Sequence, residues 1–386
     1  LNMKKPTYYG QHFIDKKDIS EVKRALLEEK ITQGNEVSRF ENNLKLFFGS
    51  KYVSAVSSGT AALHLTMLSL NLKKNHRVIT SPISFLASAN CVEYLGSKVE
   101  FSDICPKTYN LDPEKIEDKL RRKKNIKAVI AIDYAGHPSY WSDLNYLKKK
   151  YNFFLINDNC HSLGSKYKND IQYAVKYADI VTQSFHPVKH ITTGEGGAVI
   201  TNNKSIYKNV ELYKNHGIER NLKDSKLFGR WFYKMNFLGY NYRISDINCA
   251  LGSSQLSKVN KFIKKRRLIA NWYFKFFEGN KNFQLPISNK NVYHSYHLFP
   301  LLINFKNSKI SKKNFFIKLA QKNVFLQVHY IPIHLQPYYK KKYNFKIGDF
   351  PIAENFYRQE VSLPVFYNLN KQKIENLSKL IKNLLF

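Results

Sequence analysis

One lysine stands in the run Ser184-Phe185-His186-Pro187-Val188-Lys189-His190-Ile191-Thr192-Thr193-Gly194-Glu195-Gly196-Gly197. The run lies between two stretches that read as strands, Asp179 to Val181 and Ala198 to Thr201. A lysine held in such a turn sits away from bulk water, and desolvation or a nearby positive charge lowers its pKa. The amine is then a nucleophile able to form a Schiff base with an aldehyde. In a chain with 62 Lys and Arg residues, a solvated surface charge is the commoner fate of any one lysine. The neighbours set Lys189 apart: Ser184 and the glycines suit a pocket that holds a phosphate.

Three other segments carry residue types that would complete such a site. Ser57-Ser58-Gly59-Thr60-Ala61-Ala62-Leu63-His64-Leu65 follows a strand and opens a helix. Its small residues let the backbone approach an anion at the unpaired N–H groups of a helix N-terminus; an ordinary helix capped by Ser58 or Thr60 would look the same. Asp158-Asn159-Cys160-His161 comes just after the apolar run Phe153 to Ile156. A carboxylate buried at a strand end costs several kcal/mol unless it is partnered. A protonated pyridine nitrogen is one such partner, and that pairing keeps a pyridoxal ring acting as an electron sink; capping of the next turn is the plainer alternative. His161 either faces the ring or its phenolic oxygen, or is a packing histidine. Thr80-Ser81-Pro82-Ile83-Ser84-Phe85 ends another strand, and Phe85 either stacks on an aromatic cofactor or joins the core with others of the 27 phenylalanines. Gly239-Tyr240-Asn241-Tyr242-Arg243 is a compact polar-aromatic loop that says little alone.

The elements that must position these residues alternate along the chain. Tyr52 to Val56, Arg77 to Thr80, Val99 to Phe101, Ala128 to Ile132, Phe153 to Ile156 and Ile180 to Thr182 read as buried strands. Helical patterns separate them at Thr60 to Leu70, Leu86 to Leu95, Pro113 to Arg121 and Asp143 to Tyr151. This alternation predicts an α/β domain with a mostly parallel sheet, whose ligands sit beyond the carboxyl ends of the strands. After Ser245 the pattern changes to one or two long helices over Ile247 to Phe277. A smaller domain follows, placed from about residue 251, with strands at His297 to Leu302 and Phe325 to Tyr330.

Composition sets the outer limits. A chain of 386 residues suits one large domain plus a smaller one. A hydrophobic content of 43% with mean hydropathy of -0.44, and no run long enough to span a bilayer, predicts a soluble protein that needs no membrane. Cys91, Cys105, Cys160 and Cys249 lie far apart with no metal-type pairing, so reduced thiols in a cytoplasm and no metal site are expected. The net charge of +33 is spread along the whole chain rather than gathered in one arm. That argues against a nucleic-acid partner and for a field that draws in anionic small molecules.

Taken in order, these segments resemble the sugar aminotransferases of the DegT/DnrJ/EryC1/StrS family, fold-type I pyridoxal-phosphate enzymes. The likeness runs from Tyr9 and the turn Ile31-Thr32-Gln33-Gly34 through Val328-His329-Tyr330-Ile331-Pro332 to Ser362-Leu363-Pro364. It implies a large domain over residues 1–250 with a mostly parallel seven-stranded sheet, its first residues free to pack on the small domain, and a smaller C-terminal α+β domain over 251–386. It implies pyridoxal 5′-phosphate as cofactor, with pyridoxamine 5′-phosphate as its intermediate form. By the same resemblance Lys189 bonds to the cofactor, Asp158 holds the pyridinium nitrogen, Phe85 covers one ring face and His161 lies near the other. Gly59, Thr60 and Ser184 bind the phosphate, and Asn241 reaches it from the second subunit of a homodimer with shared active sites. Tyr9, Thr32, His329 and His334 match regions that touch a sugar nucleotide. The wording around Lys189 is most similar to the branch that aminates C4 of a UDP-linked 4-keto-6-deoxy-N-acetylhexosamine, with L-glutamate as donor, for pseudaminic acid. The chain departs from the pattern at His190, where proline is usual, at Ser57, where asparagine is common, and in a longer, more aromatic stretch from Asn221 to Lys234. Related dehydratases carry histidine in place of the lysine, which Lys189 argues against. Another C4 or C3 ketosugar aminotransferase, or a basic binding protein on this scaffold, are the remaining alternatives.

Overall fold

The computed structural model describes residues 5–287 and 289–386. The apolar runs form β1 (Tyr52–Val56), β2 (Arg77–Thr80), β3 (Lys98–Phe101), β4 (Ile126–Ile132), β5 (Phe154–Asp158), β6 (Ile180–Ser184) and β7 (Gly197–Thr201) of a single sheet. Their order in space is β1-β7-β6-β5-β4-β2-β3. From β6 to β3 neighbours pair in parallel, whereas β7 runs antiparallel to both β1 and β6. The strands are apolar at nearly every position because both faces of the sheet are covered. Side chains alternate across it: Val78, Ile130 and Ile156 join one buried cluster, their neighbours Ile79, Val129 and Leu155 the other. The first cluster lies under the helix Gly59–Ser69, the second under Asn35–Phe48 and Trp141–Tyr151. The expected seven-stranded, mostly parallel α/β architecture is what forms.

The C-terminal part is a three-stranded antiparallel sheet of Phe283–Gln284, Phe299–Ile303 and Glu360–Leu363, packed with the helices Lys312–Ala320 and Lys371–Leu385. Two long helices precede it, Asp246–Leu256 and Val259–Phe277. Val259, Phe262 and Ile263 belong to the core beneath the large sheet, whereas Ile269, Ala270, Tyr273 and Phe277 belong to that of the small one. The cores therefore part inside one amphipathic helix, later in the chain than residue 251. Thr7–Tyr8 pairs in parallel with Val324–Phe325, so the start of the chain closes onto the C-terminal part. The strand expected over Phe325 to Tyr330 stops at Phe325. Beyond it the backbone finds side chains instead of a ladder: His329 N–H donates to Glu360 Oε2 at 2.9 Å, and Tyr134 donates its hydroxyl to the His329 carbonyl at 2.5 Å.

Among the described residues no helix is long and apolar enough to cross a membrane. All four cysteines are free thiols.

Candidate active site

The carboxyl ends of the parallel strands converge on a cavity of about 570 Å³. Several of them contribute a short segment to its lining, where this fold class places ligands. From the end of β1, Gly59 and Thr60 line it; from the end of β2, Phe85; from β5, Asp158 and His161; from β6, Ser184 and Lys189. Tyr9 and His329 close it from the N-terminal and C-terminal segments.

Gly59 opens its helix, with the Ser58 hydroxyl accepting from Ala61 N–H at 3.0 Å, so the first-turn N–H groups have no intrahelical acceptor. A Cβ at Gly59 would stand 2.7 Å from Cβ of Ser184, and one at Gly197 would stand 2.4 Å from the Ser58 carbonyl oxygen. Only glycine lets β1, β6 and β7 bring their ends this close. The result is a cradle of a helix N-terminus and a serine hydroxyl, the chemistry that binds a phosphate.

Asp158 is buried at the cavity wall. Its Oδ2 accepts from the Ser88 hydroxyl at 2.8 Å and its Oδ1 from Cys160 N–H at 3.3 Å; it forms no ion pair among the described residues. A buried carboxylate with so little compensation is short of a cation. His161 is buried as well; its Nε2 meets the Tyr330 hydroxyl at 3.2 Å, and its Nδ1 has no partner among the described residues. Burial, reinforced by the nearby Lys189 charge, holds His161 well below the usual histidine range, so the ring is neutral. Phe85 lines the cavity with 58% of its surface exposed, and its ring stands 6.2 Å from that of Tyr330.

Lys189 sits at the end of a tight turn in which its N–H donates to the His186 carbonyl at 2.9 Å. Burial lowers its amine below the ordinary lysine value; the nearby Cys160 and Asp158 oppose that shift and the Arg266 charge adds to it. Arg266, from the long helix Val259–Phe277, is itself buried and forms no ion pair among the described residues. Its Nη1 donates to the carbonyls of Val365 (2.8 Å), His297 (3.2 Å) and Tyr296 (3.3 Å), and its Nη2 to those of Lys189 (3.3 Å) and Val188 (3.4 Å). One guanidinium thus ties the lysine turn to the junction of the two cores. Burial brings it down to about 10, which leaves it charged at neutral pH.

Thr32, Asn241 and His334 lie outside this cavity. Thr32 is exposed and bridges to Ser245, and Asn241 is exposed and bridges to Asn215. His334 is enclosed, its Nε2 at 3.1 Å from Glu354 Oε1, so its ring is occupied by packing inside its own subunit. Sequence reasoning passed over Ser88, Arg266 and Glu360. Arg266 carried only the look of a basic run, and nothing local marked Ser88 or Glu360. Tyr330 was quoted within a motif without a role of its own.

The residues present fit pyridoxal phosphate: a short-partnered buried carboxylate, a glycine-lined cradle beside a hydroxyl, an exposed aromatic face and a desolvated amine in one cavity. Residues 12–382 match the DegT/DnrJ/EryC1/StrS aminotransferase family. The chain is 37% identical over 382 residues to the UDP-4-amino-4,6-dideoxy-N-acetyl-beta-L-altrosamine transaminase of Campylobacter jejuni serotype O:2, covering 98% of this chain and 96% of that one. Helicobacter pylori PseC, an aminotransferase involved in the biosynthesis of pseudoaminic acid, superposes with a TM-score of 0.89 at 31% identity over 99% of both chains. Spr1654 of Streptococcus pneumoniae, solved in its PMP form, superposes with a TM-score of 0.90 at 25% identity, over 97% of this chain and 98% of that one.

Proposed function

Because this chain belongs to the DegT/DnrJ/EryC1/StrS aminotransferase family, we propose that it moves the amino group of L-glutamate to C4 of a UDP-linked 4-keto-6-deoxy-N-acetylhexosamine, as in pseudaminic acid biosynthesis. The observation that carries this reading is the Lys189 amine sharing one cavity with the short-partnered Asp158 carboxylate and the Gly59–Ser184 cradle. The whole-length likeness to the altrosamine transaminase supports the choice of sugar.

Gly59, Thr60 and Ser184 would hold the phosphate of pyridoxal phosphate, Asp158 its pyridinium nitrogen, and Phe85 and His161 its two faces. When bound, that group supplies the electron sink that makes the donor's Cα–H acidic, and it carries the amino group between the two half-reactions. Nζ of Lys189 takes the proton from Cα of glutamate in the first half-reaction and delivers a proton to C4 of the sugar in the second. Such acid–base work is worth roughly 10²–10⁴-fold in each direction. Its lowered pKa enlarges the fraction of the amine that can accept a proton at a given pH. Neutral His161, anchored by Tyr330, offers a hydrogen bond without adding a cation that would compete with the pyridinium for Asp158. Arg266 holds the turn so that Nζ addresses one face of the bound substrate.

The same reading includes a homodimer. Asn241 is exposed and outside its own cavity, and in the stretch of chain before it Leu222, Leu227, Trp231 and Leu238 leave apolar side chains in solvent, Trp231 with 75% exposed. A second copy laid over this face would cover them and bring its own Asn241 to the phosphate. Purified holoprotein should show a visible absorbance band that vanishes on adding glutamate. Assays with a panel of UDP- and dTDP-linked 4-keto-6-deoxy sugars, with NMR assignment of the amine, would then identify the acceptor. Turnover of a dTDP-sugar in preference to every UDP-sugar would overturn the proposed substrate, and an active monomer by sedimentation would overturn the shared site.

A further inference from the structure

A buried carboxylate one layer behind the cavity is not used by anything described so far. Glu360 lies inside the three-stranded C-terminal sheet, fully enclosed. Its Oε2 accepts from the backbone N–H of His329 at 2.9 Å, and its Oε1 accepts from the Ser362 hydroxyl at 2.5 Å. Oγ of Ser362 in turn stands 2.9 Å from Nδ1 of His329, whose ring lines the cavity and tilts against Tyr9 with centroids 4.8 Å apart.

The proton count through this chain has one solution while Glu360 is ionised. A carboxylate only accepts, so the single proton of Ser362 goes to Glu360. Ser362 Oγ is then left as an acceptor, and Nδ1 of His329 must carry the hydrogen that reaches it. Nε2 is therefore the ring nitrogen without a proton, and it is the one left for the cavity.

We infer that Glu360, acting through Ser362, is a positioning residue that fixes the tautomer of His329, so that the ring presents a hydrogen-bond acceptor to a hydroxyl donor of the ketosugar. The identity of that donor rests on the proposed sugar transamination; the relay itself does not.

The electrostatics around the relay agree with it. Burial and the nearby Lys189 charge push His329 down to about 3, so the ring is neutral and its tautomer is the only variable. Burial pushes Glu360 up to about 7, against the Ser362 hydrogen bond and the Lys312 charge, and Lys312 is pushed down to about 8 by its own burial. The phenols of Tyr109, Tyr134 and Tyr330, which also feel Glu360, are all raised by burial and stay neutral. Below about pH 7 the protonated Glu360 becomes a donor to Ser362, Ser362 donates to Nδ1, and Nε2 turns from acceptor to donor. Affinity for the sugar hydroxyl is then present above that pH and lost as the pH falls through it.

Glu360→Gln reverses the relay with almost no change in shape. The backbone N–H of His329 claims the amide oxygen, and the NH₂ is left to donate to Ser362. In ¹⁵N-histidine-labelled holoenzyme, with the signal assigned against His329→Asn, the wild type at pH 8 should carry its ring proton on Nδ1 and Glu360→Gln on Nε2. The Gln variant should raise KM for the ketosugar about tenfold, the worth of one hydrogen bond. It should leave the glutamate half-reaction within about twofold and abolish the rise of KM at low pH. Ser362→Ala should also lose the pH dependence, and Ser362→Thr should restore it. A wild-type proton on Nε2, or an unchanged tautomer in Glu360→Gln, would overturn the inference. If no ketosugar proves to be a substrate, the proposed function fails while the NMR result still decides the relay.

Discussion

Asp133 and Asp158 stand at the ends of adjacent parallel strands, joined by a hydrogen bond from Asp133 N–H to the Asp158 carbonyl at 3.3 Å, and both are buried. Their surroundings differ completely. Asp133 accepts five hydrogen bonds: Ser139 N–H (2.7 Å) and Trp141 Nε1 (3.0 Å) on one oxygen, and Tyr173 hydroxyl (2.6 Å), Asn159 Nδ2 (2.9 Å) and Asn157 Nδ2 (3.2 Å) on the other. Asp158 accepts two and opens onto the cavity. The same residue type, one strand apart, thus does opposite work. Asp133 gathers the donors of three segments and locks the sheet end, whereas Asp158 keeps capacity in reserve. The site lies where the hydrogen-bond accounting is left open.

The largest expected effect tests the reserve side of this contrast at its reactive centre. Lys189→Ala should lower transamination by roughly 10⁴-fold, since a proton transfer is lost in each half-reaction, and should leave thermal stability nearly unchanged. Near-normal turnover would place the chemistry elsewhere. Next come the two aspartates as a pair. Asp158→Asn should cost roughly 10²–10³ in rate, the usual worth of one oriented electrostatic partner, with little change in a urea melt. Asp133→Ala should do the reverse, leaving donors stranded in the interior and costing about 3 kcal/mol of stability, while any folded fraction keeps its activity per cofactor bound. If both variants lost stability equally, the distinction between them would be broken.

What was legible in the chain follows the same division. Strand ends such as Asp158, Ser184 and Gly59 announce themselves locally, because a polar or glycine residue directly after an apolar run is visible in a few letters. The seven strands were legible for a similar reason, being apolar at successive positions. Arg266 was not, because its acceptors come from Val188, Lys189, Tyr296, His297 and Val365, and no local pattern encodes a meeting of those segments. Glu360 was hidden likewise: it reaches His329 only across the fold. His334 is a polar residue beside a motif, and nothing local shows that its ring turns inward to Glu354. No local pattern marks where the two cores part, since one continuous helix, Val259–Phe277, serves both.

A third test asks whether Arg266 belongs with the locking group or with the reserve. Arg266→Met keeps the length of the side chain and removes both the charge and the five donors. Burial remains the main cause of the lowered Lys189 pKa, so the shift should shrink rather than disappear. With the cation gone the Lys189 pKa rises, a larger fraction of the amine is protonated at any given pH, and the acid limb of the pH–rate profile moves to higher pH. At neutral pH the rate should fall and recover in part as the pH is raised. A purely structural arginine would lower the rate equally at every pH.

The smallest expected effect concerns His334. Its Nε2 faces the Glu354 carboxylate, and Glu354 also accepts from the backbone N–H groups of Gly348 and Phe350, so the pair braces a turn of the C-terminal part. His334→Gln keeps a donor for Glu354 and should cost about 1 kcal/mol, one hydrogen bond of altered geometry, with KM for the ketosugar unchanged. Burial lowers the His334 pKa despite the carboxylate beside it, so the folded protein favours the neutral ring. Its contribution to stability is accordingly present above the unfolded histidine value near 6.5 and shrinks as the pH falls below it. A urea titration between pH 5 and 8 on wild type and His334→Gln would show the two converging at the acid end. A change in sugar KM with stability intact would instead return His334 to the substrate, and with it the idea that the segment from His329 to His334 reads the sugar.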